Sequence, residues 1–174
     1  GAVWSAAYQP VGTQPEDYLV EFLAEKVVIS RRDHEIDSRL EIAVSPEDDA
    51  EVRRVSLTNR SERPREIELT SYVELALGLV NEDFAHPAFG KLFVETEWVE
   101  ESTALLAFRR PRSAQEPTLF AFHALSIEGR MQAQVEWETA RLQFLGRGRG
   151  LEDPIALDGR ALSGTTGAVL DPIL

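Results

Sequence analysis

The clearest hydrophobic pattern in the chain runs from Arg65 to Leu79. Ile67, Leu69, Ser71, Val73, Leu75, Leu77 and Leu79 share one parity, while Glu66, Glu68, Thr70, Tyr72 and Glu74 share the other. Period-2 alternation of this kind predicts a long strand with one dry face and one wet face. Leucine and glutamate favour helices by propensity. A helix, however, would scatter these leucines around its axis and leave no single face to bury. Further strands are expected at Ile36–Val44, Glu51–Asn59, Leu92–Val99, Ala104–Arg110, Leu119–Ile127, Gln132–Thr139 and Leu142–Leu145. Tyr18–Ser30 is ambiguous, since its first half suits a helix and Val27, Val28 and Ile29 suit a strand. Val52 is out of phase with Val55 and Leu57, which suggests a bulge or an inward-pointing arginine. Trp4–Pro15 and Asn81–Lys91 read as loops.

About nine short strands with little helix predict an all-β, antiparallel β-sandwich rather than βαβ units. No repeat of 20–50 residues is present, which weighs against a propeller. The 174 residues are expected to form a single β-sandwich domain, residues 1–174. A chain that opens on Gly1 in mid-pattern is expected to be an excised piece of a larger protein.

Composition narrows the function classes. The formal net charge of −12 argues against nucleic-acid binding, which wants a basic surface. There is no cysteine, so disulfides and thiolate chemistry are excluded. No apolar run approaches the ~18 residues of a membrane helix, and no direct membrane contact is expected.

The chemistry on offer is sparse. His34, His86 and His123 lie far apart without metal-ligand spacing, so no metal and no cofactor are expected. His123 alternates with Ala121 and Leu125 and reads as a core histidine. His86 sits in a loop with Phe84 and Phe89, a mixture able to contact a sugar. Ser163-Gly164-Thr165 lacks the context of a nucleophile elbow. The carboxylates are too many to pair into a glycosidase acid and base, so no catalytic residue is named. Gly146-Arg147-Gly148-Arg149-Gly150 is the most distinctive motif: its glycines permit close backbone approach, and Arg147 and Arg149 offer planar forks for an oxyanion. Trp98 and Trp137 lie on apolar parities and are expected in the core; Trp4 is left open.

Several strings together carry a resemblance: WSAAYQPV, VSPEDDAEVRRVSLTN, REIELTSYVELAL, HPAFGKLFVETEW, LLAFRRPRS, FLGRGRG and LSGTTGAVLDP. They resemble the cyclic β-1,2-glucan synthases, in the phosphorylase-like portion belonging to glycoside hydrolase family 94, over nearly the whole chain. The resemblance implies a galactose-mutarotase-like super-sandwich, here a fragment of the full sandwich, followed in the parent by an (α/α)₆ barrel. It implies a parent that elongates and cyclises β-1,2-glucan and trims it with phosphate at the cytoplasmic face of the bacterial inner membrane. The fragment itself is expected to be soluble and non-catalytic, with Arg147, Arg149 and His86 as candidate substrate contacts. Its expected partners are the rest of its own polypeptide, above all the barrel, and β-1,2-glucan. Bare sheet edges add the expectation of a homodimer. A free-standing carbohydrate-binding module and a purely structural packing or oligomerisation domain remain as alternatives.

Overall fold

The computed structural model describes residues 1–174, apart from the side chain of Glu82. The chain divides into two compact units, Gly1–Glu68 and Leu69–Leu174.

The first unit is built on a four-stranded antiparallel meander, in the order β1 (Asp17–Phe22), β2 (Val27–Asp33), β3 (Ile36–Val44) and β4 (Glu51–Asn59). The ambiguous stretch at 18–30 resolves into the β1–β2 hairpin, closed by the Leu23 N–H donating to the Lys26 carbonyl at 2.9 Å. His34 and Glu35 turn β2 into β3 with both residues at positive φ, which matches the twist of the two strands. On β3 the expected alternation appears directly: Ile36, Ser38 and Leu40 are buried, and Arg39 is exposed. The β3–β4 register is unbroken from Ile36↔Asn59 to Val44↔Glu51, so the expected bulge at Val52 is absent. Nor does an arginine turn inward there. Val52 is exposed, and Arg53 reaches out to Glu51.

A buried ion pair locks this sheet to the preceding loop. Arg31 and Asp33 are both almost fully buried, with Nε to Oδ2 at 2.6 Å and Nη2 to Oδ1 at 2.7 Å. Two further guanidinium hydrogens go to the carbonyls of Ala7 and Thr13, which pins residues 7–13. Trp4 adds a 3.5 Å contact from Nε1 to Ser38 Oγ.

The second unit contains another antiparallel sheet, in the order β7 (Leu119–Ala124), β6 (Ala104–Arg109), β5 (Val94–Val99) and β8 (Gly167–Ala168). One 3₁₀ turn, Glu100–Ser102, joins β5 to β6 and closes on Thr103 at positive φ. One face of this sheet carries a core of Leu75, Val94, Leu105, Ala107 and Leu174. A second core gathers Phe144, Leu145, Ala156 and Ile173, with Tyr72, Leu151 and Leu162 against it.

Four expectations fail between Arg65 and Leu145. Arg65–Leu79 is not a strand: apart from a single bridge from Glu74 to Ile173, it forms no ladder. Its phase is nevertheless right, since Val73, Leu75 and Leu77 all pack into the first core. Gln132–Thr139 also lacks a ladder, and pairing begins only at Ala140, which bridges Pro172. Leu142–Leu145 lies in a short helix, α3 (Arg141–Leu145), preceded in the chain by α1 (Val80–Ala85) and α2 (Pro87–Lys91) inside the expected Asn81–Lys91 loop. A four-residue apolar run does not distinguish strand from helix, and Leu and Gln are good helix formers. Gly146 ends α3 at φ +87°.

Candidate functional site

The glycine–arginine loop follows directly from the end of α3. Gly146 and Gly148 both have positive φ, at +87° and +74°, which a side chain at either position would resist. The two arginines differ sharply in what they do. Arg149 donates from Nη1 to Asp158 Oδ2 at 2.7 Å and lies 3.5 Å from Asp153 Oδ2. The hydrogen bond from Arg149 holds the Asp158 carboxyl below its ordinary range, and the same bond raises the Arg149 guanidinium. Arg149 therefore braces the loop. Arg147 is exposed and makes no hydrogen bond or ion pair among the described residues.

His86 sits elsewhere in the same unit, immediately before α2. Its carbonyl accepts from the N–H groups of Phe89 and Gly90, each at 3.1 Å, and its exposed side chain makes no capping bond. Phe84 and Phe89 beside it are exposed, and Phe89 meets Phe93 edge to face at 5.3 Å. No hydrogen bond, ion pair or ring contact joins His86 to Arg147 or Arg149 among the described residues. The structure brings the arginines onto one loop and leaves the histidine apart from them.

Trp98 and Trp137 stack on each other with centroids 4.1 Å apart and planes 9° apart, against the first core, as their parity predicted. The Trp98 indole donates to Glu100 Oε2 at 2.7 Å. His123 is only partly buried, and its Nε2 lies 3.0 Å from Ser71 Oγ rather than in a closed core.

Two polar networks in this unit were invisible to sequence reading. In the first, Glu74 Oε1 accepts from Tyr72 Oη at 2.7 Å and from Arg141 Nε at 3.0 Å. Arg141 also donates its backbone N–H to the Asp171 carbonyl at 3.0 Å, and Lys91 Nζ donates to Asp171 Oδ1 at 2.6 Å. Burial, then the bond to Glu74, pushes the Tyr72 phenol up to about 12. Hydrogen bonds from Tyr72 and Arg141 hold Glu74 low. This network clasps the segment 171–174 between residues 73–74 and 139–141; next to it, a cavity of about 20 Å³ lined by Leu75, Gly78, Lys91 and Val94 has room for one water. In the second network, buried Glu138 accepts from the Ser163 hydroxyl, whose oxygen in turn lies beside Gln143 and Thr165. Direct partners in the first network lie up to 80 positions apart, as Lys91 and Asp171 do, so only the fold unites them. The sole local hint was Gly164, whose φ of +66° sets the turn that presents Ser163 and Thr165.

Glu74 and Asp158 are stabilised as anions by hydrogen-bond donors, the pattern of structural ion pairs. None of the described residues offers a trio of His, Cys, Asp or Glu able to hold a metal. Among the described residues, no helix is long and apolar enough to cross a membrane.

Comparison with known proteins fits this picture. The family model described as "Glycosyl hydrolase 94, supersandwich domain" matches residues 1–174. The chain is 35% identical over 175 residues to the cyclic beta-(1,2)-glucan synthase NdvB of Rhizobium meliloti (strain 1021). That match takes in 100% of this chain and 6% of the relative, so the chain spans a small part of the relative's length. Two antiparallel sheets, few and short helices and a whole-length match agree: the chain belongs to the glycosyl hydrolase 94 supersandwich domain family.

Proposed function

We propose that the chain is a non-catalytic β-sandwich module of a cyclic β-1,2-glucan synthase, which supports the helical barrel that trims the glucan and controls its length. The observation that carries this reading is how the aromatic side chains are disposed. A free-standing sugar-binding module would present tryptophans as a flat outer platform. Here Trp98 and Trp137 face each other, and the exposed large side chains are apolar ones such as Phe120 and Phe122 on edge strand β7. Exposed apolar surface on a sheet edge is what a packing module brings to a neighbouring domain. The likeness of this whole chain to a short part of the Rhizobium synthase supports the parent activity. In that parent, at the cytoplasmic face of the inner membrane, the Arg147 loop and His86 border the glucan cleft, and Arg149 holds the loop in shape.

Calorimetric titration of the 174-residue chain with β-1,2-linked oligosaccharides tests the reading, and silence at micromolar ligand is expected. Saturable heat at micromolar strength would replace the supporting role with that of a carbohydrate-binding module. In the full synthase, replacing Arg147 and Arg149 together with alanine is expected to shift the glucan length distribution. An unchanged distribution with normal stability would remove the loop from the cleft.

A further inference from the structure

Glu138 is the least explained charged side chain in the second unit. It is only 5% exposed, and no Lys, Arg or His pairs with it among the described residues. Burying a carboxylate without a counter-charge is strongly unfavourable unless other groups compensate. Two donors serve it: the Ala140 N–H reaches Oε1 at 2.7 Å, and the Ser163 hydroxyl bonds Oε2. The surroundings of that hydroxyl are all oxygen. Ser163 Oγ lies 3.0 Å from Gln143 Oε1 and 3.0 Å from Thr165 Oγ1, and Thr165 Oγ1 lies 3.5 Å from Gln143 Oε1. A serine hydroxyl has one proton. Once that proton goes to Glu138, the single proton of Thr165 is left to serve both the Ser163 oxygen and the Gln143 carbonyl oxygen, which lie 3.0 Å apart.

From this cluster we propose that Glu138, Gln143, Ser163 and Thr165 form a binding site for a hard divalent cation, with calcium as the fitting ion. One buried carboxylate supplies the charge, and three neutral oxygens supply further ligands of the hard type that calcium takes. Calcium tolerates irregular geometry and mixed ligands, whereas magnesium demands a near-ideal octahedron. Gln143 and Ser163 are exposed, so water completes the coordination shell and the ion has a path in.

The frame around the site is stiff. Gly164 donates its N–H to the Trp137 carbonyl at 2.9 Å, and its positive φ aims the two flanking hydroxyls. Thr139 Oγ1 donates to the Thr165 carbonyl at 2.9 Å and lies 2.8 Å from Thr96 Oγ1 on β5. With a single carboxylate, affinity belongs to the weak end of calcium sites, on the order of 10⁻⁴–10⁻³ M.

The competing arrangement is a rotated Gln143 amide, whose Nε2 would donate to Ser163 and leave no need for an ion. Terbium, a calcium substitute, separates the two, because Trp137 adjoins Glu138 and can sensitise a lanthanide bound there. Chelator-treated protein is expected to show saturable terbium luminescence excited through tryptophan, at one ion per chain. Calcium should displace it and potassium should not. Glu138→Gln should weaken binding at least tenfold. Gln143→Leu, a change at an exposed position that leaves the core alone, should weaken it severalfold with an unchanged circular dichroism spectrum. Absence of saturable luminescence would overturn the site, as would binding that both variants leave unchanged, which would assign the ion to the acidic surface at large.

Discussion

The strand β3 and the stretch Arg65–Leu79 present the same alternation, yet only β3 is a strand. Ile36–Val44 has neighbours on both sides, pairing with β2 along Val27–Asp33 and with β4 along its whole length. Residues 65–79 begin in one compact unit and end in the other, and only Glu74 finds a bridging partner. Alternation states which side chains share a face. It does not supply the backbone partner that a ladder needs. What remains of the expected strand is its phase: Val73, Leu75 and Leu77 point into a core, while Leu69 and Leu79 are exposed. The first unit is therefore held by regular pairing, and this part of the second by side-chain burial and a polar clasp.

The largest effect is expected where the first unit departs from ordinary pairing. Arg31→Met leaves Asp33 buried without its counter-charge, and breaking a buried pair of this kind costs about 3–5 kcal/mol. It also frees the carbonyls of Ala7 and Thr13. Urea unfolding should show this loss, and Arg31→Met combined with Asp33→Leu should recover much of it. A single substitution costing under 1 kcal/mol would mean that β-ladder pairing alone secures the first unit.

Next in size is a contrast within the alternating row itself. Leu75→Ala removes a side chain that is 6% exposed, and should cost about 2–5 kcal/mol through lost burial and the cavity left behind. Leu69→Ala, at a position 55% exposed, should stay within about 0.5 kcal/mol. Trp98 and Trp137 fluorescence follows the second unit, because both rings pack on the core that holds Leu75. Equal losses at the two positions would show that the row is buried throughout, as a long strand would have it.

Sequence reading succeeded where structure is local and periodic. Glu51–Asn59 and Ile36–Val44 have the bounds that their alternation predicts. It failed where a few residues borrow partners from far along the chain. Pro172–Leu174 carries no alternation, yet Ile173 is fully buried and Leu174 exchanges hydrogen bonds with Val73. The candidate site was half legible. The Gly146–Gly150 loop announced itself by its glycines, whereas the division of labour between Arg147 and Arg149 depends on Asp153 and Asp158, which nothing in the motif specifies. Glu138 looked like any other acid on a strand parity, since burial of one carboxylate leaves no mark on a pattern.

The smallest effect concerns pH, and it tests whether the clasp holds the second unit as the ladders hold the first. Tyr72 is raised to about 12 in the folded chain, from an ordinary value of 10. Between those values the folded state keeps a proton that the unfolded state has released, so stability falls as pH rises through that window and is fully present below it. Tyr72→Phe should cost about 1 kcal/mol at neutral pH through the lost bond to Glu74. It should also flatten the stability profile between pH 10 and 12, because the titrating group is gone. The buried Phe144 ring, 5.2 Å from Tyr72, keeps its packing in that variant, which isolates the hydroxyl from the hydrophobic contact. Denaturation followed by tryptophan fluorescence across this range reads both quantities. An alkaline slope as steep as in the parent chain would assign the loss to other groups, and the clasp would then be a consequence of core packing rather than a second means of holding residues 171–174 in place.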